Sequence, residues 1–317
     1  MTTANNTTPK VSIIIRCYNE EKHIGNLLEK IFQQTWLHKE IIIVDSGSTD
    51  NTVSIAKKFS VTIVPITPEE FTFGYSLNQG CAVATGDFFI IASAHVIPVR
   101  NDWIEQLIKP FENSQVALVY GRQIGNDVTK FSEHQIFLKQ FPPQSNYDQQ
   151  IPYCNNANAA IRKQHWNEHR YNETLSGLED IEWAKWAHEQ QYRIVYNAEA
   201  TIIHIHEEQP KQILNRYTRE AIALKKLFPD SQMSVGKFLF LFLSNTFLDW
   251  GRALKHRVFF KNVCEIVMMR YYQYLGTYKG LKIQSPVTHE MIVTFYYPRK
   301  PAILLKNNEV KYANTQR

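Results

Sequence analysis

The sequence predicts an α/β protein built on a mostly parallel, doubly wound sheet flanked by helices. Three observations predict it. The runs at 11–16, 40–44, 61–64 and 87–92 are short and strand-like, and 40–44 and 87–92 are almost wholly apolar, as strands covered on both faces require. The segments between them carry apolar residues at helical spacing or follow helix-starting turns. Polar turns also follow the strands, where ligands of such sheets bind.

The elements follow in order. Strand 11–16 leads into 21–34, where Ile24, Leu27, Leu28 and Ile31 share one helical face. Strand 40–44 ends in Asp45-Ser46-Gly47-Ser48-Thr49-Asp50, a turn that opens helix 51–59. Strand 61–64, helix 76–84 and strand 87–92 continue the alternation. Loops 17–20, 45–50 and 93–98 are then expected to converge on one crevice. Further along come a strand at 115–121, a polar loop with a strand in 152–162, and a helix at 180–190 whose acidic start suits its positive end. A strand at 193–196 and an extended segment at 200–206 precede a helix beginning near Pro210. The turn residues of 229–234 predict the domain boundary, with a catalytic domain at 1–230 and a helical C-terminal extension at 231–317.

Within the extension, 235–250 holds an apolar run of roughly a dozen residues, short of the ~20 that span a bilayer. Its neighbours Lys237, Arg252, Lys255, His256, Arg257 and Lys261 give it a basic edge. Such a helix fits the headgroup region of an anionic leaflet, so peripheral membrane contact is one expectation. Burial against the main domain and a homodimer face are the competing uses.

With 317 residues, 44% hydrophobic and 21% charged, the chain has the composition of a soluble globular protein. A formal charge of +5 demands no nucleic-acid stripe and leaves room for anionic ligands. Cys17, Cys81, Cys154 and Cys264 are widely spaced without a CxxC pair, which argues against a disulfide framework or structural zinc and for a reducing compartment. Residues 1–10 are polar and lack a secretory pattern, so a cytoplasmic location is expected.

Longer motifs narrow the class. Val11-Ser12-Ile13-Ile14-Ile15-Arg16-Cys17-Tyr18-Asn19-Glu20-Glu21 is followed by Ile43-Val44-Asp45-Ser46-Gly47-Ser48-Thr49-Asp50. Next come Gly74-Tyr75-Ser76-Leu77-Asn78-Gln79-Gly80, Ala84-Thr85-Gly86-Asp87 and Tyr120-Gly121-Arg122. The series ends with Asn156-Ala157-Asn158-Ala159-Ala160-Ile161-Arg162, Leu178-Glu179-Asp180 and His204-Ile205-His206. In this order, over roughly residues 9–228, the chain resembles the family 2 glycosyltransferases. The resemblance implies the GT-A (Rossmann-like) fold, a nucleoside-diphosphate sugar donor and inversion at the anomeric carbon. The variant Ser93-Ala94-His95 with Pro98 is similar to rhamnosyltransferases of that family.

Physical roles fit the matched positions. Tyr18 offers a flat face to a nucleobase, and Asp45 can accept the imide N–H of uracil or thymine, which favours a UDP- or dTDP-sugar. Asn19, Glu20, Arg16 and Asn78 fall in the same nucleotide-binding motifs. Transfer needs a base for the acceptor hydroxyl and positive charge for the leaving diphosphate. Asp180 matches the family's general base, with Glu179 in reserve. The family usually holds a divalent cation with Asp-x-Asp after the fourth strand, and here His95 stands in that loop. Imidazole favours manganese over magnesium. His95 can combine with His206 or His204, which face the same way on an extended segment but at different depths, so one, His206, is expected to reach the site. A metal-independent site is the alternative, with Arg16, Arg122 and Arg162 carrying the phosphate charge. Ser93, Asn156 and Asn158 are candidates for donor or acceptor contacts.

The expected activity is therefore transfer to a glycan or lipid-linked saccharide acceptor in surface polysaccharide biosynthesis, on the inner face of a bacterial membrane. A nucleotide-sugar binder without catalysis is the rival. A zinc hydrolase would need a third ligand beyond the His-x-His pair, and an oxidoreductase lacks its G-x-G-x-x-G after the first strand.

Overall fold

The computed structural model describes residues 8–284, together with 291 and 295; the end of the expected extension lies outside the described residues. The chain divides into two compact units, Met1–Glu207 and Glu208–Arg317.

In the first unit the expected alternation is present as β1 (Val11–Cys17), α1 (Ile24–Phe32), β2 (Lys39–Asp45), α2 (Thr52–Ala56), β3 (Thr62–Pro65), α3 (Phe73–Val83) and β4 (Phe88–Ser93). The apolar stripe of α1 packs on the sheet: Ile24, Leu27, Leu28 and Ile31 are all fully buried. After β4 come β5 (Val96–Pro98), α4 (Trp103–Ile108), β6 (Val116–Ile124), α5 (Phe131–Gln140), β7 (Asn158–Arg162), α6 (Lys163–Glu168), α7 (Glu179–Glu189) and β8 (Arg193–His204). The loop expected at 93–98 thus ends in a short strand, and the two extended segments expected at 193–206 form one continuous strand.

All eight strands join one sheet in the order β3-β2-β1-β4-β7-β6-β8-β5. The pairings β1–β2, β1–β4, β2–β3 and β6–β8 are parallel, while β7 runs antiparallel to β4 and β6, and β5 antiparallel to β8. Parallel pairings are in the majority, as expected. The order has a geometric consequence for the site. Ser93 and Val96 are three residues apart, at most about 10 Å of chain, yet β4 and β5 are four strands apart in the sheet, about 19 Å if it were flat. The sheet must therefore curl, and the curl brings His95 beside the end of β8: Val96 pairs with His204, and Ile205 N donates to His95 O at 3.0 Å.

The second unit consists, among the described residues, of α8 (Pro210–Leu227), α9 (Val235–Lys255) and α10 (Phe259–Lys282). Gly276 and Gly280 lie against the backbone of α8, where an added Cβ would run into Leu214 O and Thr218 O. The Asp249 carboxylate is buried against Arg270, 2.7 Å away. Along α9, Phe240, Leu243, Phe247, Leu248 and Leu254 are exposed. Among the described residues no helix is long and apolar enough to cross a membrane.

Candidate functional site

The polar residues gather where β1, β2 and β4 end. Asp45 closes β2 beside Cys17, its register partner on β1. Gly47 then turns back at φ 83°, a left-handed conformation that suits glycine. Its N–H and that of Ser48 reach Asp45 Oδ2 at 3.2 and 3.1 Å. The other oxygen, Oδ1, is buried with no partner among the described residues. Leaving such an atom unpaired costs about 1–3 kcal/mol, so a ligand N–H that reached it would be rewarded. Tyr18 follows Cys17 and is half-buried. Asn19, at φ 53°, clasps the Asp45 turn: its N–H donates to Ser48 Oγ at 2.9 Å and its Oδ1 accepts from Thr49 N at 2.8 Å.

One residue back on β1, Arg16 joins this corner to the acidic pair. Its Nη1 lies 3.1 Å from Glu179 Oε1, and its guanidinium sits 4.5 Å above the Phe73 ring. Glu179 and Asp180 open α7 after Leu178, which adopts a left-handed φ of 59°. Non-glycine residues there cost about 1–2 kcal/mol, a strain held where the two carboxylates are aimed. Asp180 accepts backbone N–H donors from Asn156 at 3.1 Å and Ile181 at 2.8 Å. Burial, with the Glu179 charge adding to it, nevertheless pushes its carboxyl up to about 7 against those donors and Arg16. Asn156 is buried, its Nδ2 lies 3.4 Å from Glu179 Oε1, and its Oδ1 has no partner among the described residues. Asp45 and Asp180 thus border one strand edge, linked through Cys17, Arg16 and Glu179.

Across the curl of the sheet, three imidazoles meet. One ring nitrogen from each of His95, His204 and His206 lies within 4.8 Å of the others. His204 and His206 approach to 3.0 Å between their Nε2 atoms, so both reach the cluster, not His206 alone. The expected difference in depth is cancelled because β8 ends at His204 and the chain leaves the sheet before His206. The His204 ring stacks between His95, at 5.2 Å between centroids, and Phe137, at 6.0 Å. Ser93 Oγ is 3.1 Å from His95 Nε2. A tetrahedral ion with metal–nitrogen bonds of ~2.0–2.1 Å places its ligands roughly 3.3 Å apart. The His204–His206 separation is near that value, so the donor set fits a nitrogen-preferring divalent ion.

Three residues named from the sequence are otherwise engaged. Asn78 spends its amide inside the fold: Nδ2 donates to Tyr171 O and Glu173 Oε1, and Oδ1 accepts from Trp166 Nε1 and Tyr171 N. Asn158 is fully buried, with Oδ1 accepting from Trp103 Nε1 and Nδ2 donating to Arg122 O and Ala200 O. Arg162 pairs in register with Phe88 at the start of β4, the opposite end from Ser93, and donates to the carbonyls of Val116, Phe111 and Asn113. Each sits in a matched motif because the fold needs it, and none is brought into the crevice. Arg122, by contrast, lies at an irregularity of β6 with its Nε buried and without a hydrogen-bond partner among the described residues.

Sequence reasoning missed two of the groups behind the imidazoles. Glu133 on α5 is buried and holds His206 Nδ1 at 2.6 Å, and Gln123 on β6 holds His204 Nδ1 at 2.7 Å. Glu20, expected from its motif to serve the nucleotide, also holds His95 Nδ1 at 2.7 Å. A glutamate in a weakly amphipathic helix carries no local sign of such a role.

Comparison with known proteins bears on this edge. The family model described as glycosyl transferase family 2 matches residues 12–170. The chain is 29% identical over 227 residues, 66% of its length and 70% of the relative, to the O-antigen chain rhamnosyltransferase WbaN of Salmonella anatum. It is 27% identical over 226 residues, with the same coverages of 66% and 70%, to the O-antigen chain rhamnosyltransferase RfbN of Salmonella typhimurium. Among solved structures, a mannosyltransferase from Pyrobaculum calidifontis in complex with GDP-Man and Mn2+ aligns with a TM-score of 0.62 at 16% identity, covering 88% of this chain and 89% of that one. The likeness extends to the fold: the sheet and helices are those of the GT-A glycosyltransferases.

Proposed function

Because the chain belongs to glycosyl transferase family 2, a glycosyltransferase family, we propose that it moves a sugar, with inversion, from a UDP- or dTDP-sugar to a hydroxyl of a glycan or lipid-linked acceptor. The observation that carries this reading is the shared strand edge, with the unpartnered Asp45 Oδ1 at one end and the crowded Asp180 carboxyl at the other. Asp45 accepts the imide N–H of the base while Tyr18 stacks on its face. Asp180 takes the proton of the acceptor hydroxyl as its oxygen bonds to the anomeric carbon, and the bond from that carbon to the diphosphate oxygen breaks on the opposite side. A carboxyl titrating near 7 is half ionised at neutral pH and a far stronger base than an ordinary aspartate. Arg16 pairs with Glu179 and its positive charge offsets part of the rise that burial and Glu179 impose on Asp180. Asn156 holds both carboxylates and turns its open Oδ1 to a sugar hydroxyl.

His95, His204 and His206 would hold the divalent ion, manganese in preference to magnesium, and Arg122 adds charge near the diphosphate. Such an ion supplies positive charge to the departing diphosphate.

The Salmonella relatives make rhamnosyl transfer in surface polysaccharide assembly the first activity to test. The assigned place is the cytoplasmic face of the membrane. There the exposed Phe240, Phe247 and Leu254 of α9, with the neighbouring Arg252, Lys255 and Arg257, dock on anionic lipid. The docking face then belongs to the second unit, of which α9 is part. Vesicle co-sedimentation tests this: binding to anionic but not neutral vesicles is expected. Dimerisation in solution without vesicle binding would assign the face to a second copy.

The deciding experiment is a thermal-shift screen of UDP-, dTDP- and GDP-sugars on the full chain, followed by nucleotide release with acceptor, in manganese or with chelator. Uridine or thymidine diphosphates should raise the melting temperature. A shift confined to guanosine compounds overturns the role of Asp45. Binding without release under every metal condition supports a nucleotide-sugar binder that has lost catalysis.

A further inference from the structure

The three imidazoles share a feature that metal ligation alone does not require of them. Each presents its Nδ1 to an oxygen acceptor from a different element: His95 to Glu20 Oε1 at 2.7 Å, His204 to Gln123 Oε1 at 2.7 Å, and His206 to Glu133 Oε1 at 2.6 Å. A carboxylate can only accept, so Glu20 and Glu133 place the proton on Nδ1 of their rings. Gln123 is oriented by a further bond, its Nε2 donating to Asn155 Oδ1 at 2.9 Å, which turns its oxygen toward His204. In all three rings the proton is thereby drawn to Nδ1 and the lone pair to Nε2. The Nε2 atoms of His204 and His206 face each other at 3.0 Å. Two lone pairs at that distance repel unless positive charge lies between or beside them.

We propose that Glu20, Gln123 and Glu133 are positioning residues that preset His95, His204 and His206 as a nitrogen-only centre for a late first-row divalent ion. The inference rests on the reading of the imidazole cluster as a cation site and adds its selectivity. The carboxylates of Glu20 and Glu133, the kind of ligand that magnesium prefers, meet the Nδ1 atoms of His95 and His206. Imidazole nitrogens bind first-row ions in the order manganese, then iron, then cobalt, with zinc also tight. Affinity should therefore rise from magnesium through manganese to cobalt and zinc. The acceptors act by fixing each ring's tautomer and orientation and by raising the basicity of the ligating nitrogen.

The test uses the full chain stripped of metal by chelation, then titrated with Co2+ while its visible absorption is followed. One Co2+ per chain is expected, displaced by Zn2+ and unmoved by millimolar Mg2+. Glu133→Gln and Glu20→Gln should each weaken Co2+ binding about 10- to 100-fold, with the metal-free melting temperature and circular dichroism unchanged. If the buried Glu133→Gln fails to fold, the half-buried Glu20→Gln decides. Wild-type affinity in the folded variants would overturn the positioning role while leaving the metal site standing. Absence of Co2+ binding by the wild type would overturn both. Neither result touches the transferase reading, which nucleotide release tests separately.

Discussion

Asp180 and His206 lie near each other in function and are both largely buried, but one is crowded by a carboxylate and the other is backed by one. Glu179 adds its charge to the burial of Asp180, and the carboxyl rises to about 7. Glu133 faces His206 from 2.6 Å and anchors a proton on the ring. The same negative charge therefore favours a proton in both places, and what differs is the use the proton is put to. Beside an acid it favours uptake of a proton; behind an imidazole it readies a lone pair for a cation. In the proposed reading one corner serves proton transfer and the other holds positive charge.

Several experiments break or sharpen that contrast. Asp180→Asn removes the proposed base and should lower transfer about 10²- to 10⁴-fold while leaving donor affinity unchanged, measured by initial rates and calorimetry. Unchanged turnover would reject the assignment. His204→Ala should lower manganese-supported transfer about 100-fold and abolish one-to-one metal binding. Asp45→Ala should weaken donor binding about 10- to 100-fold, the value of a hydrogen bond to a charged group, with little change in rate at saturating donor.

The pH dependence comes next in size. With the Asp180 carboxyl near 7, transfer should rise with pH and be about tenfold lower at pH 6 than its plateau. The effect on stability has the opposite sign. Between about 4 and about 7 the folded chain holds a proton that the unfolded chain has released, so this group's contribution is present below that window and lost as pH rises through it. Asp180→Asn should flatten this loss, making the variant more resistant to heat than the wild type above pH 7. The smallest effect on transfer belongs to Asn158→Ala. It strips three hydrogen bonds from a buried amide and should lower the melting temperature by several degrees, while the folded fraction keeps its donor affinity.

Asn78, Asn158 and Arg162 show where motif reading stops. Their motifs align, and their side-chain chemistry would suit a sugar or a phosphate, yet tryptophan N–H groups and backbone groups use them up. An amide that ties strands together and an amide that binds a ligand look the same in sequence. Asn156 differs only in keeping one buried oxygen open. Glu133 is the converse: nothing local marks it, because its partner His206 is 73 residues away.

Local order in the first unit was determined by the sequence itself. Hydrophobic periodicity set β1 through β4 and α1, and the Asp45 turn declares its conformation through Gly47, since these depend on interactions between residues close along the chain. Tertiary structure alone decided the site. The curl that brings His95 to His204, the reach of Arg16 to Glu179, and the acceptors behind each imidazole all join residues far apart in the chain. Such contacts are chosen by the closure of the whole sheet, which no window of sequence contains.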